Sequence, residues 1–187
     1  MNFGISHAAI IISILALLFT VFSFWWMNLR KGKIRVGVPR SYAAKGGGDT
    51  VLLIEVPLVF FNDGATPIII QNLRLIFPDE KSETKPLTFV ATVNKLGTDE
   101  GRTFASQFPV RGREALKLIC EFQRTPGNLI FEEKQYLVKL QAVIDDKDNW
   151  ETICSFPLNV TMHALMTINE RFITHDNWSE YSTWTIG

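Results

Sequence analysis

The sequence predicts a mainly β protein, in which one N-terminal transmembrane helix precedes an antiparallel β-sandwich of about eight strands. Three observations support this fold class. Residues 8–27 (AAIIISILALLFTVFSFWWM) contain no charged side chain, apolar residues then alternate with polar ones in many short segments, and turn-forming residues separate those segments. Since no long helical pattern interrupts the alternating segments, layers of strands are the expected architecture.

The N-terminal run is long enough to cross a membrane. As an α-helix its roughly 20 residues extend about 30 Å, the thickness of a bilayer's hydrocarbon core. Trp25 and Trp26 stand at its end, and indole rings settle at the headgroup level. We predict an anchor over residues 1–29 that contacts the lipid bilayer.

The charges around the anchor predict its orientation. A basic juxtamembrane segment and first strand occupy residues 30–41, whereas no Lys or Arg precedes the helix. Basic residues close to a span stay on the cytoplasmic side, so the body is expected in the cytoplasm, in a bacterial inner membrane, with the N-terminus outside. Two alternatives remain: an anchor with its domain outside, and a cleaved signal peptide, for which the apolar core is too long.

The basic segment also supplies candidate contacts with the membrane. Each Lys or Arg near an anionic surface contributes about 1 kcal/mol to binding. The simpler interpretation is that these residues only determine topology. The candidate membrane-interface residues are Trp25, Trp26, Arg30, Lys31, Lys33 and Arg35.

Eight segments with strand character follow. They cover residues 34–38, 52–60, 67–77, 87–93, 103–110, 116–122, 136–144 and 150–157. Pro57 predicts an edge position or a bulge because proline cannot donate to a strand ladder. A slip of the apolar phase between Ile70 and Leu73 predicts a second bulge. We assign residues 42–158 to the sandwich domain and residues 159–187 to a C-terminal extension.

One hairpin carries a resemblance to a known family. Residues 58–77 (LVFFNDGATPIIIQNLRLIF) contain a strand, an Asn-Asp-Gly turn, a proline and a second strand. This arrangement resembles membrane-tethered immunoglobulin-like domains, including the late-embryogenesis-abundant type 2 fold. The anchor and basic juncture are similar to those of bacterial single-pass proteins of unassigned role with such a sandwich. The resemblance implies an immunoglobulin-like sandwich and brings no catalytic residues.

The sequence lacks the usual patterns of metal-binding, catalytic and nucleic-acid-binding residues. His163 and His175 are far apart and no Cys-x-x-Cys occurs, so no metal site is expected. No nucleophile elbow is present, and we predict neither an enzyme nor a cofactor. With 19 basic and 19 acidic residues, the chain offers no basic surface for nucleic acid.

The cysteines are interpreted according to the topology. Cys120 and Cys154 both fall on inward positions of predicted strands. In the cytoplasm they are expected to be buried thiols, whereas a domain outside the cell would favour a disulfide between them. Two glycosylation sequons, at Asn159 and Asn177, would matter only for a domain outside.

The C-terminal extension allows two interpretations at two places. Residues 160–168 fit either a strand or a short helix. Beyond them, Trp178, Tyr181 and Trp184 are spread through a polar tail. They are candidate contacts for a protein partner, because such rings bring large contact area at low entropic cost. The alternative is that they fold back onto the sandwich.

These observations favour a membrane-anchored, non-enzymatic binding or scaffolding module that recruits a protein partner, with an oligomeric state that the sequence does not define. One alternative is a membrane-tethered sensor that binds a small ligand in its interior. The other is an outward-facing envelope or stress protein in which the two cysteines are bridged.

Overall fold

The structure is a computed structural model that describes residues 3–46, 49–80, 85–168 and 172–177. Helix α1 (Phe3–Asn28) is apolar, and its stretch from His7 to Asn28 is long and apolar enough to cross a membrane. A signal sequence would meet the same test of length and composition. The hydroxyls of Ser13 and Thr20 donate to the main-chain oxygens of Ala9 and Ala16, each at 2.8 Å. Such internal bonding suits a helix in lipid, which offers no hydrogen-bond partners.

Within the described residues, eleven antiparallel strands form one curled sheet. They are β1 (Ile34–Val36), β2 (Ser41–Gly46), β3 (Leu52–Asn62), β4 (Ile68–Ile76), β5 (Leu87–Val93), β6 (Thr103–Phe104), β7 (Phe108–Val110), β8 (Ala115–Arg124), β9 (Lys134–Ile144), β10 (Glu151–Val160) and β11 (Ile173–Asp176). The order across the sheet is β10-β9-β4-β5-β8-β3-β2-β11. The short strands β1, β6 and β7 pair with β3, β5 and β4 respectively. A short helix, α2 (Met162–Ile168), follows β10.

The predicted period-two alternation accounts for the core. In β3 the inward residues from Leu52 to Phe60 are at most 1% exposed. Aromatic rings fill the interior between the curled parts of the sheet. Phe60 contacts Phe108 at 5.4 Å between ring centroids, and Phe89 contacts Phe122 at 5.9 Å. Such pairs prefer tilted or edge-on geometry, and both have it.

Of the two predicted irregularities, the bulge near Ile70 is present, whereas Pro57 lies neither on an edge strand nor at a bulge. The register between β4 and β9 shifts between Ile70 and Asn72, which confirms the bulge predicted from the apolar phase. Pro57 pairs with Ile119 of β8 on one side of β3. On the other side β2 pairs only as far as Glu55, and β1 begins to pair at Phe60. Pro57 therefore lies in a local gap of the ladder, where its missing N–H breaks no bond.

Several elements differ from the expectation. Strands β2 and β11 were not among the predicted strands, and the segment 103–110 is divided into β6 and β7. Of the two interpretations of residues 160–168, the helix is observed as α2. The sheet also takes in strands before residue 42 and after residue 158. The described part of the chain thus contains eleven strands, where about eight were predicted.

A seam of hydrogen bonds joins β10 to the opposite side of the curl. The buried Asn177 donates from Nδ2 to the main-chain oxygens of Pro39 at 2.9 Å and Pro157 at 2.8 Å. Its Oδ1 accepts the Asn159 N–H at 2.8 Å, and the Tyr42 hydroxyl donates to the Asn159 oxygen at 2.8 Å. Both sequon asparagines are therefore engaged in holding the curl together.

The register defines which end of the sheet lies next to α1. Asn62, at the end of β3, pairs with Ile34, only six positions after the last residue of α1. The turns after β3, β7 and β9 lie at this end, because Ile68 pairs with Val110 and Ile70 pairs with Ile144. We call it the helix-proximal end.

Candidate functional site at the junction of helix and sheet

The turn after β3 is fixed by a buried asparagine. Asn62 is 0% exposed, and its Nδ2 donates to the main-chain oxygens of Thr66 at 2.8 Å and Val110 at 3.1 Å. Its Oδ1 accepts the Gly64 N–H at 2.9 Å. Because all these bonds are made in a buried place, the Asn-Asp-Gly turn has one defined conformation.

Asp63, the next residue of that turn, binds the segment that follows the helix. Its Oδ1 accepts the Lys33 N–H at 2.8 Å, and its Oδ2 lies 3.4 Å from the Arg35 guanidinium. The Arg30 guanidinium donates to the Asp63 main-chain oxygen. The hydrogen bond from the Lys33 N–H lowers the pKa of Asp63 below its usual value. The positive charges of Arg35 and Arg30 lower it further. Since the Arg35 side chain is 76% exposed, its ion pair adds little stability.

Two glycines allow the close approach of these segments. A Cβ on Gly32 would lie 2.0 Å from the Gly64 nitrogen, and a Cβ on Gly64 would lie 2.0 Å from the Gly32 nitrogen. The Ala65 N–H donates to the Arg30 oxygen at 2.8 Å beside this contact. By contrast, a Cβ on Gly37 would meet only the Val59 Cβ, at 4.0 Å. Any side chain at Gly32 or Gly64 would therefore push the turn away from the juxtamembrane segment.

The end of α1 is joined to the same structure. The Arg30 guanidinium lies 4.6 Å from the centre of a Trp26 ring, within cation–π range. Arg113, in the turn after β7, donates from Nη2 to the Trp26 main-chain oxygen at 2.9 Å. We call this set of contacts the juncture clamp; its members are Trp26, Arg30, Gly32, Lys33, Asn62, Asp63, Gly64 and Arg113.

The structure divides the predicted interface residues into two groups. Trp26, Arg30 and Arg35 take part in contacts with the clamp, whereas Trp25 stays on the exposed surface of α1. The ammonium groups of Lys31 and Lys33 are exposed and form no ion pair within the described part of the chain.

The remaining predicted contacts, Trp178, Tyr181 and Trp184, lie outside the described residues. The sequence interpretation missed the roles of Asn62, Asp63 and Arg113. The Asn-Asp-Gly signal was recognised as a turn, but its partners are about 30 positions away along the chain, and no local pattern identifies them.

A cleft opens beside the clamp. It has a volume of about 730 Å³ and is lined by residues 31–34, 66–69, 144–147 and 151–153. Among the lining residues, Lys31 and Lys33 come from the segment that follows α1, and Asp145 and Asp146 come from the turn after β9. We call it the juncture cleft.

A second polar feature lies on the outer face of β3 and β8. Glu55 and Glu121 are opposite each other on these strands and are 0% and 1% exposed. The loop 94–102 covers them: Arg102 donates to both oxygens of Glu121, at 2.9 and 3.1 Å, and the Gly97 N–H donates to Glu55 at 2.6 Å. Burial raises the pKa of Glu55 to about 7, although the Gly97 N–H opposes this shift. The carboxyl pair fastens the loop to the sheet.

The other chemistry-bearing side chains are dispersed. Among the described residues, no three His, Cys, Asp or Glu side chains are grouped so that they could hold a metal ion. Cys120 is buried, Cys154 is partly buried, and both are free thiols. Burial raises the pKa of both thiols, which lowers their thiolate content and hence their reactivity.

No model of a known protein family matches this chain, and no curated protein matches it.

Proposed function

We propose that this chain is a membrane-anchored, non-enzymatic binding module whose immunoglobulin-like sandwich recruits a protein partner at the cytoplasmic face of a bacterial inner membrane. The juncture clamp is the observation that carries the proposal. A flexible linker would leave the body free to rotate on its anchor. Here the segment after the helix is instead bound to a fixed turn of the sheet by side-chain and main-chain contacts.

The clamp has a physical consequence for binding. Because Trp26 of α1 and Asp63 of the body both contact Arg30, the orientation of the helix constrains the orientation of the body. Confinement to a surface with a restricted orientation raises the effective concentration of the body toward other membrane components. Such a gain needs no enzymatic chemistry, only a binding surface that faces its partner.

The cytoplasmic orientation in this proposal is supported by charge. Arg30, Lys31 and Lys33 follow α1 directly, and basic residues so close to a span favour the cytoplasmic side. The free thiols of Cys120 and Cys154 are compatible with a reducing compartment.

The sandwich architecture is proposed from the curl. The seam at Asn177 brings β10 against the segment between β1 and β2. The two parts of the sheet then face each other across an aromatic core, as in the membrane-tethered immunoglobulin-like domains that the sequence resembles. Packed rings such as Phe77, Phe131 and Tyr136, with centroids 5.7 to 6.0 Å apart, favour binding at the surface over a ligand in the interior.

The partner contact is proposed at the aromatic tail. Trp178 directly follows Asn177, which is 5% exposed and bonded to the body. The body therefore holds Asn177, the residue that precedes this tail, at a defined point. Aromatic side chains of this kind are enriched among the residues that dominate binding energy.

Crosslinking in membranes tests the proposal. A photoreactive amino acid at position 182, within the tail, is expected to capture one defined partner in membranes that contain the full chain. Replacing Trp178, Tyr181 and Trp184 by Ala should abolish capture while the chain stays inserted and folded. Phe104→Ala, which removes an aromatic ring that is 80% exposed on β6, is the control and should leave capture unchanged. Equal capture by the triple variant, or no capture by the natural chain, would refute the proposed contact.

A further inference from the structure

The juncture cleft has the size and position of a lipid site. Its volume of about 730 Å³ falls within the range of about 300–1,000 Å³ that small-molecule sites occupy. Lys31, on its wall, comes three residues after the end of α1. Three extended residues reach at most about 10 Å. If α1 spans the bilayer, as the proposed function requires, Lys31 lies within or beside the headgroup layer.

The lining of the cleft is amphipathic. Five isoleucines contribute to it: Ile34, Ile68, Ile69, Ile144 and Ile153. Ile34 and Ile68 belong to the core, whereas Ile69 is 44% exposed. Isoleucines interrupted by charged residues form a surface that suits a ligand with an apolar and a charged part.

The charges of the cleft are partly neutralised among themselves. Lys147 forms an ion pair with Glu151 at 2.5 Å, so these two charges offset each other. Asp145 accepts the Ile69 N–H at 3.0 Å through Oδ1. Within the described residues, Lys31 and Lys33 have no ion pair, and the exposed Asp146 has none. The cleft therefore offers two unpaired ammonium groups from the segment after α1 and one unpaired carboxylate from the turn after β9.

From this distribution we propose that the juncture cleft binds a zwitterionic glycerophospholipid with an ethanolamine headgroup. The lipid phosphate interacts with Lys31 and Lys33, and the start of an acyl chain packs on the isoleucines. The primary ammonium of ethanolamine donates hydrogen bonds to Asp146, which the quaternary ammonium of choline cannot do. This inference rests on the proposed membrane anchoring and adds to it a specific lipid. An anionic lipid such as phosphatidylglycerol, whose only charge is the phosphate, would satisfy the lysines but would leave Asp146 without a cationic partner.

Lipid analysis of the reconstituted full chain tests the inference. The purified chain is placed in nanodiscs that contain phosphatidylcholine, phosphatidylethanolamine and phosphatidylglycerol, extracted mildly, and analysed for retained lipid by native mass spectrometry. We expect phosphatidylethanolamine to be enriched over its share of the bilayer. Lys31→Gln with Lys33→Gln should weaken its retention roughly thirty-fold, since each lysine contributes about a factor of five.

Two further variants separate specific binding from a general effect of charge. Lys45→Gln with Lys117→Gln removes two exposed lysines outside the cleft and should leave retention unchanged. Asp146→Asn should abolish the preference for phosphatidylethanolamine over phosphatidylglycerol while keeping phosphate binding. Enrichment of phosphatidylglycerol by the natural chain, retained lipid that matches the bulk composition, or equal loss in the control pair would each overturn the inference.

Soluble phosphoethanolamine distinguishes a lipid from a free headgroup. Because it lacks the acyl chain, we expect it not to displace the bound lipid, and displacement would show that the cleft recognises a soluble phosphate ester instead. Resistance of the chain to carbonate extraction is measured on native membranes in parallel. A chain that resists extraction but retains lipid at the bulk composition refutes only the lipid site. A chain that is extracted refutes the anchoring itself.

Discussion

Gly32→Ala is expected to open the juncture clamp. The new Cβ would lie 2.0 Å from the Gly64 nitrogen and 2.4 Å from the Asn62 Oδ1, about 1 Å short of any tolerated contact. Both neighbours belong to a fixed turn, so the juxtamembrane segment has to move away. The movement breaks the bond from the Lys33 N–H to Asp63 and weakens the one between Ala65 and Arg30.

The size of the effect follows from those two bonds. A hydrogen bond to a charged group contributes about 1.5–3 kcal/mol, and one between neutral groups about 0.5–1.5 kcal/mol. Their combined loss of about 3 kcal/mol raises the population of the open clamp roughly a hundred-fold. Gly37→Ala is the matched control, because its Cβ would meet only the Val59 Cβ, at 4.0 Å.

Limited trypsin digestion of the detergent-solubilised full chain measures the opening. Cleavage after Lys31 or Lys33 separates the anchor from the body, and its rate follows the open population when closing is fast. We expect much faster cleavage in Gly32→Ala and an unchanged rate in Gly37→Ala. A melting temperature near that of the natural chain in both variants would show that the body stays folded. The clamp would be refuted if trypsin cleaved Gly32→Ala as slowly as the natural chain. It would also be refuted if the two variants were cleaved at equal rates.

Three other predictions concern the clamp, the buried carboxyl and the seam. Asp63→Asn keeps an acceptor for the main chain but loses charge, so trypsin cleavage should rise less than in the glycine variant; an equal rise would contradict this. Burial raises the pKa of Glu55 to about 7, so the fold favours the neutral form and stability falls as pH rises from about 4.5 to about 7. In urea unfolding, Glu55→Gln should therefore raise the free energy of unfolding by about 3 kcal/mol at pH 8 and by little at pH 4. The control Glu133→Gln changes an exposed residue and should show the same pH dependence of stability as the natural chain. If Glu55→Gln also kept the pH dependence of the natural chain, the pKa of Glu55 would not be raised. Asn177→Ala leaves several buried groups of the seam unpaired and should lower the free energy of unfolding by about 3 kcal/mol in the same assay. The control Asn149→Ala changes an exposed residue and should lower it by less than about 0.5 kcal/mol. Equal losses in the two variants would show that the seam does not stabilise the fold.

Much of the fold could be predicted because its signals are local. The apolar length of α1, the alternation in β3 and β9, and the phase slip at Ile70 are all readable in windows of a few residues. Strand β2 was missed for a physical reason. Tyr42, Ala43 and Ala44 are all 0% exposed, so both faces of the strand are covered and period-two alternation disappears. Alanine and glycine also have little preference for strands.

The candidate site was less predictable because its contacts are distant in sequence. The basic cluster after the helix was visible, but nothing local distinguishes Asp63 from other acidic residues as its partner. The close approach of Gly32 and Gly64 likewise exists only after β1 pairs with β3. Strand β11 is short, and its buried His175 interrupts any apolar pattern.

The proposed partner contact depends on a cytoplasmic placement of the body. A dual reporter fused after Gly187 tests it most directly, with a fluorescent protein that matures only in the cytoplasm and a phosphatase that is active only outside. We expect fluorescence without phosphatase activity in intact cells. Phosphatase activity without fluorescence would contradict it.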